Sequence, residues 1–469
     1  MLFDVAALLI TSAALGPAAE APVAPESVSI SLPLDPGKST PPVTNIGSGI
    51  LVDPGALAHG TPVSSLALGI SGPAEVRTLS GISLVRELAA LSSGQIRKLI
   101  ASDPHLVTKL LQTPPNARDV EALWTSLDAS TRSKLAIAAP RLVGGLDGFP
   151  AAVRDKANRE WVSQSIADLK KQLPTVDGRA VAESNQHQLH MLTMVEAALK
   201  PTKDGPTRTL LSADPTGEGK AVIVLGDLQT ADYVTYLVPG MFYTVDGQLS
   251  AWTGDAADLY AQQKAWLKRL SATDPSEAHK TVAVVAWMGY QTPDLTNIGS
   301  LDLANQARDA LASSVQTLQL QRAGHLPYTT IIAHSYGSTA ALMALTQYNF
   351  SVNALVLVGT PGSSAQSAKD LHVKNTNVWV GSAAWDPVPT SAFFGSDPSA
   401  PSYGAHTMGV SGGTDVIVGN TLGQSLGHNE YFDPGTESIR NMALIGIDHS
   451  ELVMRGDAAD KTRTLASAK

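Results

Sequence analysis

Residues 328–341 read Y-T-T-I-I-A-H-S-Y-G-S-T-A-A, which predicts a strand that turns sharply into a helix. Residues 329–333 are β-branched or apolar, as is typical of a buried strand. An alanine-rich run follows Gly337 and favours a helix. Ser335 lies between the two, with the small residues Ala333 and Gly337 two positions away on either side. Such a turn needs small residues, and it lifts the hydroxyl at its apex out of the sheet beside the first N–H groups of the helix.

Strand-like and helix-like segments alternate along the chain from residue 220 onward. The strand-like segments are 221–225, 233–238, 281–287, 354–358 and 377–382, and helical patterns cover 256–270 and 303–320. Runs of Val, Ile and Leu with helices between them predict an α/β fold with a mostly parallel, doubly wound sheet. Functional side chains in such sheets lie at the carboxyl ends of the strands. Because Ser335, Asp386 and Gly240 follow predicted strands, we expect them at one edge of the sheet.

Asp386 is the predicted acid of a site built on Ser335. A serine hydroxyl is a poor nucleophile near neutral pH unless a histidine takes its proton and a carboxylate orients the histidine. Asp386 directly follows the predicted strand 377–382, at the edge where Ser335 is expected. Asp-Pro pairs also form simple turns, which is the alternative interpretation of this position. Other acids in this part of the chain lie in helical or loop-like stretches: Asp370, Asp397 and Asp415.

Three histidines lie C-terminal to that acid, and His428 is the predicted base. It lies in a loop at 427–435, before a predicted helix, and such a loop can fold back over the sheet edge. His449 falls in a C-terminal helical segment and is the alternative base. His406 lies in a segment that reads as the last strand. His334 adjoins the nucleophile, but neighbours on an extended chain point in opposite directions, so we expect it to pack beneath the turn.

Two backbone N–H groups are predicted to stabilise the oxyanion that acyl transfer would form at this site. One is the N–H of Tyr336, directly after the nucleophile. The other should come from the loop that follows an earlier strand, and residues 239–242 are the obvious source. Gly240 allows the backbone to approach closely, which leaves the N–H of Met241 as the second donor.

The composition excludes several classes of site. The chain has 469 residues, 43% hydrophobic and 16% charged, and a formal net charge of −9 at pH 7. The length allows two or three domains. The acidic balance argues against nucleic acid as a partner, because phosphate binding depends on clustered Lys and Arg. The absence of cysteine excludes disulfides, thiolate nucleophiles and iron–sulfur clusters.

Two short motifs suggest a ligand site but lack parts of the pattern. His187 and His190 are three residues apart on a predicted helix, but no nearby acid completes a metal-binding set. The stretch Gly217-Glu-Gly-Lys220 resembles the end of a phosphate-binding loop. It lacks the first glycine and the following Ser or Thr, and it leads into a strand where a helix is required. We therefore expect no metal and no organic cofactor.

The N-terminal part of the chain divides into three predicted regions. Residues 1–24 contain an apolar run that is shorter than the about 20 residues of a transmembrane helix. The run suits a signal peptide except that it lacks the usual leading Lys or Arg, so export through a weak signal and a cytoplasmic location both stay open. Residues 25–74 are rich in Pro, Ser and Gly. Residues 75–205 are helical in pattern and could form a lid or merely pack on the domain at 206–469, and residues 140–150 read as a glycine-rich loop.

From about residue 221 to 441 the chain resembles an uncharacterised branch of the α/β-hydrolase superfamily. The phrases that carry the resemblance are Tyr236-Leu-Val-Pro-Gly240, Trp287-Met-Gly-Tyr290, Ala333-His-Ser-Tyr-Gly-Ser338, Asp386-Pro-Val388 and His428-Asn-Glu-Tyr-Phe-Asp-Pro-Gly435. Helical sequence at 142–150 and 157–159 is similar to the upstream part of that branch. The resemblance implies the α/β-hydrolase fold and a triad of Ser335, Asp386 and His428. Ala333 stands where the superfamily's elbow most often has Gly, and the branch implies no substrate.

These observations predict a serine hydrolase that cleaves carboxylic esters of small molecules or lipids through an acyl-enzyme. Other acyl-transfer enzymes (peptidases, thioesterases and acyltransferases) use the same residue types, so they stay open as alternatives. A non-catalytic binding protein on this fold would need a broken triad, and the sequence shows none. No segment identifies a protein partner.

Overall fold

The structure is a computed structural model that describes residues 76–203 and 205–456. The predicted segments 1–24 and 25–74 lie outside the described residues. No helix within the described ranges is long and apolar enough to cross a membrane.

The first part of the described chain is helical. Its helices are α1 (Gly81–Ala90), α2 (Ser93–Ser102), α3 (His105–Gln112), α4 (Ala117–Ser126), α5 (Ala129–Ala138), α6 (Pro140–Gly145), α7 (Ala151–Gln172) and α8 (Arg179–Ala198). Polar caps begin several of them: Ser92 forms a capping box with Gln95, and the side chain of Asp128 accepts from the N–H of Thr131. Apolar residues of α1 to α7 form a core of their own.

The prediction of a glycine-rich loop at 140–150 is wrong for residues 140–145, which form helix α6, whereas residues 146–150 contain no helix or strand. Pro140 suits the first turn of a helix, where its missing N–H is not needed. The glycines serve close packing: a methyl group on Gly144 would clash with Asn158, and one on Gly145 would lie 2.8 Å from Leu111.

The second part of the described chain is built around an eight-stranded sheet. Its strands are β1 (Arg208–Asp214), β2 (Lys220–Gly226), β3 (Tyr233–Val238), β4 (Val282–Met288), β5 (Tyr328–His334), β6 (Ala354–Val358), β7 (Val378–Gly381) and β8 (His406–Thr407), in the order β1-β2-β4-β3-β5-β6-β7-β8. The pairs β1–β2 and β2–β4 are antiparallel and the others are parallel. Strand β1 was missed by the sequence pattern. A separate pair, β9 (Gly413–Thr414) and β10 (Thr421–Leu422), forms a small hairpin.

Helices cover both faces of the sheet. They are α9 (Val245–Leu270), α10 (Asp302–Gln321), α11 (Tyr336–Gln347), the short α12 (Val388–Ser391) and α13 (Glu437–Gly446). Apolar residues of α8, α9 and α13 pack on one face, and those of α10 and α11 pack on the other. Successive residues of β5 point to opposite faces, so Ile331 joins one core and Ile332 the other.

Six short 3₁₀ turns complete the described secondary structure. They are Leu173–Thr175, Pro275–His279, Ala368–Asp370, Lys374–Thr376, Pro401–Tyr403 and Ser450–Leu452.

The helical part is joined to edge strand β1 through buried hydrogen bonds. The side-chain amide of Asn158 donates to the carbonyl oxygens of Gly144, at 3.1 Å, and Leu210, at 3.0 Å. The N–H of Leu210 donates to the carboxylate of Asp155 at 2.6 Å. These bonds occupy backbone groups that an edge strand would otherwise leave free. Whether residues 75–205 act as a lid stays a prediction, as do the domain boundaries.

The register of the parallel strands sets the position of the candidate site. Val238 of β3 pairs with Ala333 of β5, and His334 pairs with Val358 of β6. The loops after β3, β5 and β6 therefore leave the sheet side by side at one edge.

Candidate active site

Ser335 lies at the apex of the turn between β5 and α11. Its backbone has φ 53° and ψ −131°, and it is the N-cap of the helix. A non-glycine residue at positive φ is strained, and such strain is found mainly where a site holds a residue in one conformation. The turn is tight, because a methyl group on Gly337 would clash with the carbonyl oxygen of Pro239. The sequence prediction of a strand, a sharp turn and a helix is confirmed.

The structure brings the side chains of Ser335, His428 and Asp386 into one hydrogen-bonded chain. His428 Nε2 lies 2.8 Å from Ser335 Oγ. His428 Nδ1 lies 2.9 Å from each carboxylate oxygen of Asp386. All three residues are buried, with 3% to 6% of their surface exposed. A carboxylate only accepts, so Nδ1 carries the proton and Nε2 presents a lone pair to the serine hydroxyl.

Asp386 is held in its ionised form by its partners. Burial alone would raise its pKa, but hydrogen bonds from His428 and Tyr431 outweigh burial and lower the pKa below the usual value. The Tyr431 hydroxyl donates to Asp386 Oδ2 at 2.7 Å and accepts from the N–H of Ala383 at 2.8 Å. The carboxylate also accepts from the N–H of Val388 at 3.0 Å. Sequence reasoning missed Tyr431, although it stands three residues after His428 in the same loop.

Gly359 leaves room for the pair formed by His428 and Asp386. Its φ is +59°, and a methyl group there would lie 2.9 Å from Asp386 Oδ2 and 2.9 Å from His428 Nδ1. A side chain at this position would push the acid and the base apart. The sequence pattern does not reveal this role of Gly359, since the contact joins residues far apart in the chain.

The loop after β3 lies against the nucleophile. A methyl group on Gly240 would lie 3.0 Å from Ser335 Oγ and would clash with Ser335 Cβ. The hydroxyl of the buried Tyr290 donates to the carbonyl oxygen of Pro239 at 2.8 Å and anchors the loop. Phe242, two residues after Gly240, has φ 65°, and its N–H donates to the carbonyl oxygen of Pro293 at 3.1 Å.

The two predicted oxyanion donors lie near Ser335: Tyr336 is its chain neighbour, and Met241 follows Gly240, which faces the nucleophile. Tyr336 is the first residue of α11, where N–H groups have no partner within the helix. Neither its N–H nor that of Met241 donates to any other residue in the described ranges. Their role at an oxyanion stays a prediction.

Three of the other histidines weighed from the sequence, His449, His406 and His187, lie away from this chain of contacts. His449 Nδ1 lies 2.8 Å from Glu451, and its Nε2 lies 3.7 Å from Glu277. The ring of His406 packs on that of Trp379 at 4.8 Å. His187 Nε2 contacts Asp246 at 3.2 Å. Within the described ranges, no group of three or more His, Cys, Asp or Glu side chains could hold a metal ion.

A family model matches part of the chain. Residues 214–396 match the family described as Alpha/beta hydrolase. The described sheet and its helices have the α/β-hydrolase fold. The predicted fold class, with a mostly parallel sheet preceded by helices, is thereby confirmed.

The chain is also similar to mycobacterial relatives that are themselves uncharacterised. A protein of Mycobacterium tuberculosis is 28% identical over 396 residues, which are 73% of this chain and 57% of the relative. One of Mycobacterium bovis is 27% identical over 233 residues, 48% of this chain and 84% of the relative. The chain thus spans little more than half the length of the first relative. These likenesses agree with the uncharacterised branch expected from the sequence.

Solved structures with a related fold include esterases. One from the archaeon Pyrobaculum calidifontis has a TM-score of 0.33 and 13% identity, covering 60% of this chain and 97% of that one. An esterase from Pseudomonas putida has a TM-score of 0.32 and 11% identity, covering 63% and 98%.

Proposed function

We propose that this α/β-hydrolase cleaves carboxylic esters through an acyl-enzyme formed on Ser335. The observation that carries the proposal is the unbroken chain of hydrogen bonds from Ser335 Oγ through the His428 ring to Asp386. This arrangement activates a serine hydroxyl in acyl-transfer enzymes.

In the first step His428 acts as a general base. Its Nε2 takes the proton of the Ser335 hydroxyl while Oγ forms a bond to the ester carbonyl carbon, and the carbonyl oxygen becomes an oxyanion. Asp386 keeps the proton on Nδ1 and stabilises the imidazolium that forms. The N–H groups of Tyr336 and Met241 donate to the oxyanion, and one such donor is worth a factor of about 10² to 10³ in rate.

The intermediate then breaks down and is hydrolysed. The imidazolium of His428 returns its proton to the alkoxide oxygen as the ester bond breaks, which releases the alcohol and leaves Ser335 acylated. Water attacks the acyl carbon as Nε2 takes one of its protons. Collapse of the second intermediate returns the proton to Ser335 Oγ and releases the acid.

An apolar cluster beside the proposed oxyanion donor supports an apolar ester as substrate. Met241 and Val388 are buried and pack with the partly exposed Phe242, Leu295 and Ile298. Met241 follows Gly240, which touches the nucleophile, and the N–H of Val388 binds Asp386. A substrate placed on Ser335 would therefore meet apolar side chains, which favours the acyl or alkyl part of an ester over a charged peptide.

Labelling with a fluorophosphonate probe tests this function. We expect the wild-type protein to be labelled and to hydrolyse nitrophenyl esters, and Ser335→Ala to lose both properties. Ser271→Ala is the control, because Ser271 lies at the C-terminal end of α9 and its hydroxyl donates to the carbonyl oxygen of Lys268 at 2.8 Å. Equal labelling of wild type and Ser335→Ala, or none of either, would refute the proposal. Parallel assays with peptide and thioester substrates separate an esterase from the other acyl-transfer enzymes.

A further inference from the structure

His334 connects the strand that carries the nucleophile to the loop that carries the base. It is the last residue of β5, and only 2% of its surface is exposed. Its Nε2 lies 2.7 Å from the backbone carbonyl oxygen of His428. A carbonyl oxygen only accepts, so Nε2 is the donor and carries the proton. In this tautomer Nδ1 carries a lone pair and no proton. It is buried and has no hydrogen-bond partner among the described residues.

The loop that carries His428 depends on such contacts. Residues 427–435 form turns and contain no helix or strand, so individual hydrogen bonds within the loop and to other segments fix their backbone. Two bonds tighten the loop on itself: Leu426 N–H donates to the Glu430 carboxylate at 2.8 Å, and Ser425 Oγ donates to the Glu430 carbonyl at 3.1 Å. The bond from His334 reaches the loop at the base itself.

We propose that His334 is a positioning residue, whose Nε2–H fixes the backbone of His428 where its imidazole meets Ser335. The inference rests on the proposed function, since it assigns a role in that reaction. His334 and Ser335 are consecutive, and the N–H of Ser335 is itself bound to Val358 at 3.0 Å. One strand end therefore sets the position of both nucleophile and base. Misplacing a reacting group by 1 Å can cost about 10² in rate.

A neutral donor suits this position better than a charged one. The His334 ring lies 4.6 Å from the His428 ring, where a positive charge would oppose the imidazolium that forms during the reaction. Burial, with a smaller effect of His428, lowers the pKa of His334 to about 3, so it is neutral near pH 7. The rings of Tyr243, Tyr431 and Phe432, with centroids 6.1 to 6.3 Å away, surround it. The side chain thus supplies an N–H without adding a charge.

Two substitutions separate the donor from the packing. His334→Phe keeps a ring and removes the N–H, whereas His334→Gln keeps a neutral N–H donor. With a soluble nitrophenyl ester we expect His334→Phe to lower kcat by about ten- to a hundredfold with KM within about twofold of wild type. We expect His334→Gln to recover most of that loss. Melting temperatures of both variants control for general loss of stability, which would not distinguish Gln from Phe.

The outcomes that overturn this role differ from those that refute the esterase. Equal kcat in both variants and wild type, or equal losses in both variants, would show that the N–H does not matter. Should His334→Phe fail to fold, NMR of the wild-type protein labelled with ¹⁵N-histidine still decides: we expect Nε2 protonated and Nδ1 bare at neutral pH, and the reverse tautomer overturns the proposal. Absence of wild-type turnover, by contrast, refutes the esterase and leaves the tautomer measurement valid.

Discussion

Gly240 has no room for a side chain beside Ser335. Its Cα lies where any side chain would meet the nucleophile, with Ser335 Oγ 3.0 Å and the His334 carbonyl oxygen 3.1 Å from the position of a methyl group. The hydroxyl of Tyr290 donates to the carbonyl oxygen of Pro239, the residue before Gly240, and so fixes the same loop. The backbone can adapt to a side chain at position 240 only by moving away from the nucleophile, together with the proposed donor at Met241.

We therefore expect Gly240→Ala to lower kcat/KM for ester hydrolysis by about a hundredfold or more, since it displaces an oxyanion donor or Ser335 itself. The matched control is Gly254→Ala in the middle of α9, where a methyl group would meet nothing within 4 Å. Steady-state kinetics with one nitrophenyl ester measure both variants. An activity of Gly240→Ala close to that of Gly254→Ala would exclude this loop from the site.

Asn158 joins three elements of secondary structure. It lies on α7, and its amide bonds the last turn of α6 and the edge strand β1. The residue is 1% exposed, so water cannot replace it as a partner. Without this donor the Leu210 carbonyl group would lose its side-chain partner, whereas the Gly144 carbonyl group would keep Arg154 Nε at 3.2 Å. A buried group left unsatisfied costs about 1–3 kcal/mol.

Asn158→Ala should accordingly lower the free energy of unfolding by about 1–3 kcal/mol, measured by urea denaturation. The control is Ser163→Ala, on the exposed side of the same helix, for which we expect a change within about 0.5 kcal/mol. Because Asn158 contacts β1 and not the strands that bear the triad, kcat of the folded variant should stay near the wild-type value. A stable variant would contradict the structural role given to the amide.

His334 makes the stability of the whole folded molecule depend on pH. Its pKa falls from the ordinary 6.5 to about 3 on folding, mainly because of burial. Below about pH 6.5 the unfolded chain gains a proton here that the folded chain does not bind. The free energy of unfolding therefore decreases as the pH is lowered, by up to about 1.4 kcal/mol per pH unit. Asp386 acts in a lower window: its folded pKa lies below its usual value, so its contribution is lost only as the pH falls below about 4.

We expect the melting temperature of the wild type to fall more between pH 7 and pH 5 than that of His334→Gln, which cannot titrate at this position. Differential scanning calorimetry of the two proteins in matched buffers measures the difference. All other titrating groups are shared, so the difference between the two curves reports His334. Parallel curves would mean that this histidine is not held neutral in the folded protein.

The sequence by itself determined the elements whose patterns are local. The β-branched run before Ser335 and the small residues around it predict the turn, and the runs of Val, Ile and Leu predict a parallel sheet. Strand β1 was not predicted, because its residues are mixed in polarity and several are partly exposed at the sheet edge. Helix α6 was not predicted, because its glycines usually break helices. Here they allow close packing against Asn158 and Leu111.

Only the tertiary structure decided which distant groups meet. The chain order suggested Asp386 and His428, yet the geometry that joins them to Ser335 depends on the register of β5, β6 and β7. Tyr431, Gly359 and His334 owe their positions to contacts across this edge, between residues far apart in the chain. Such contacts have no local periodicity, because they arise only when parallel strands bring their carboxyl ends together. The pattern could therefore indicate a nucleophile, whereas the surroundings of acid and base required the fold.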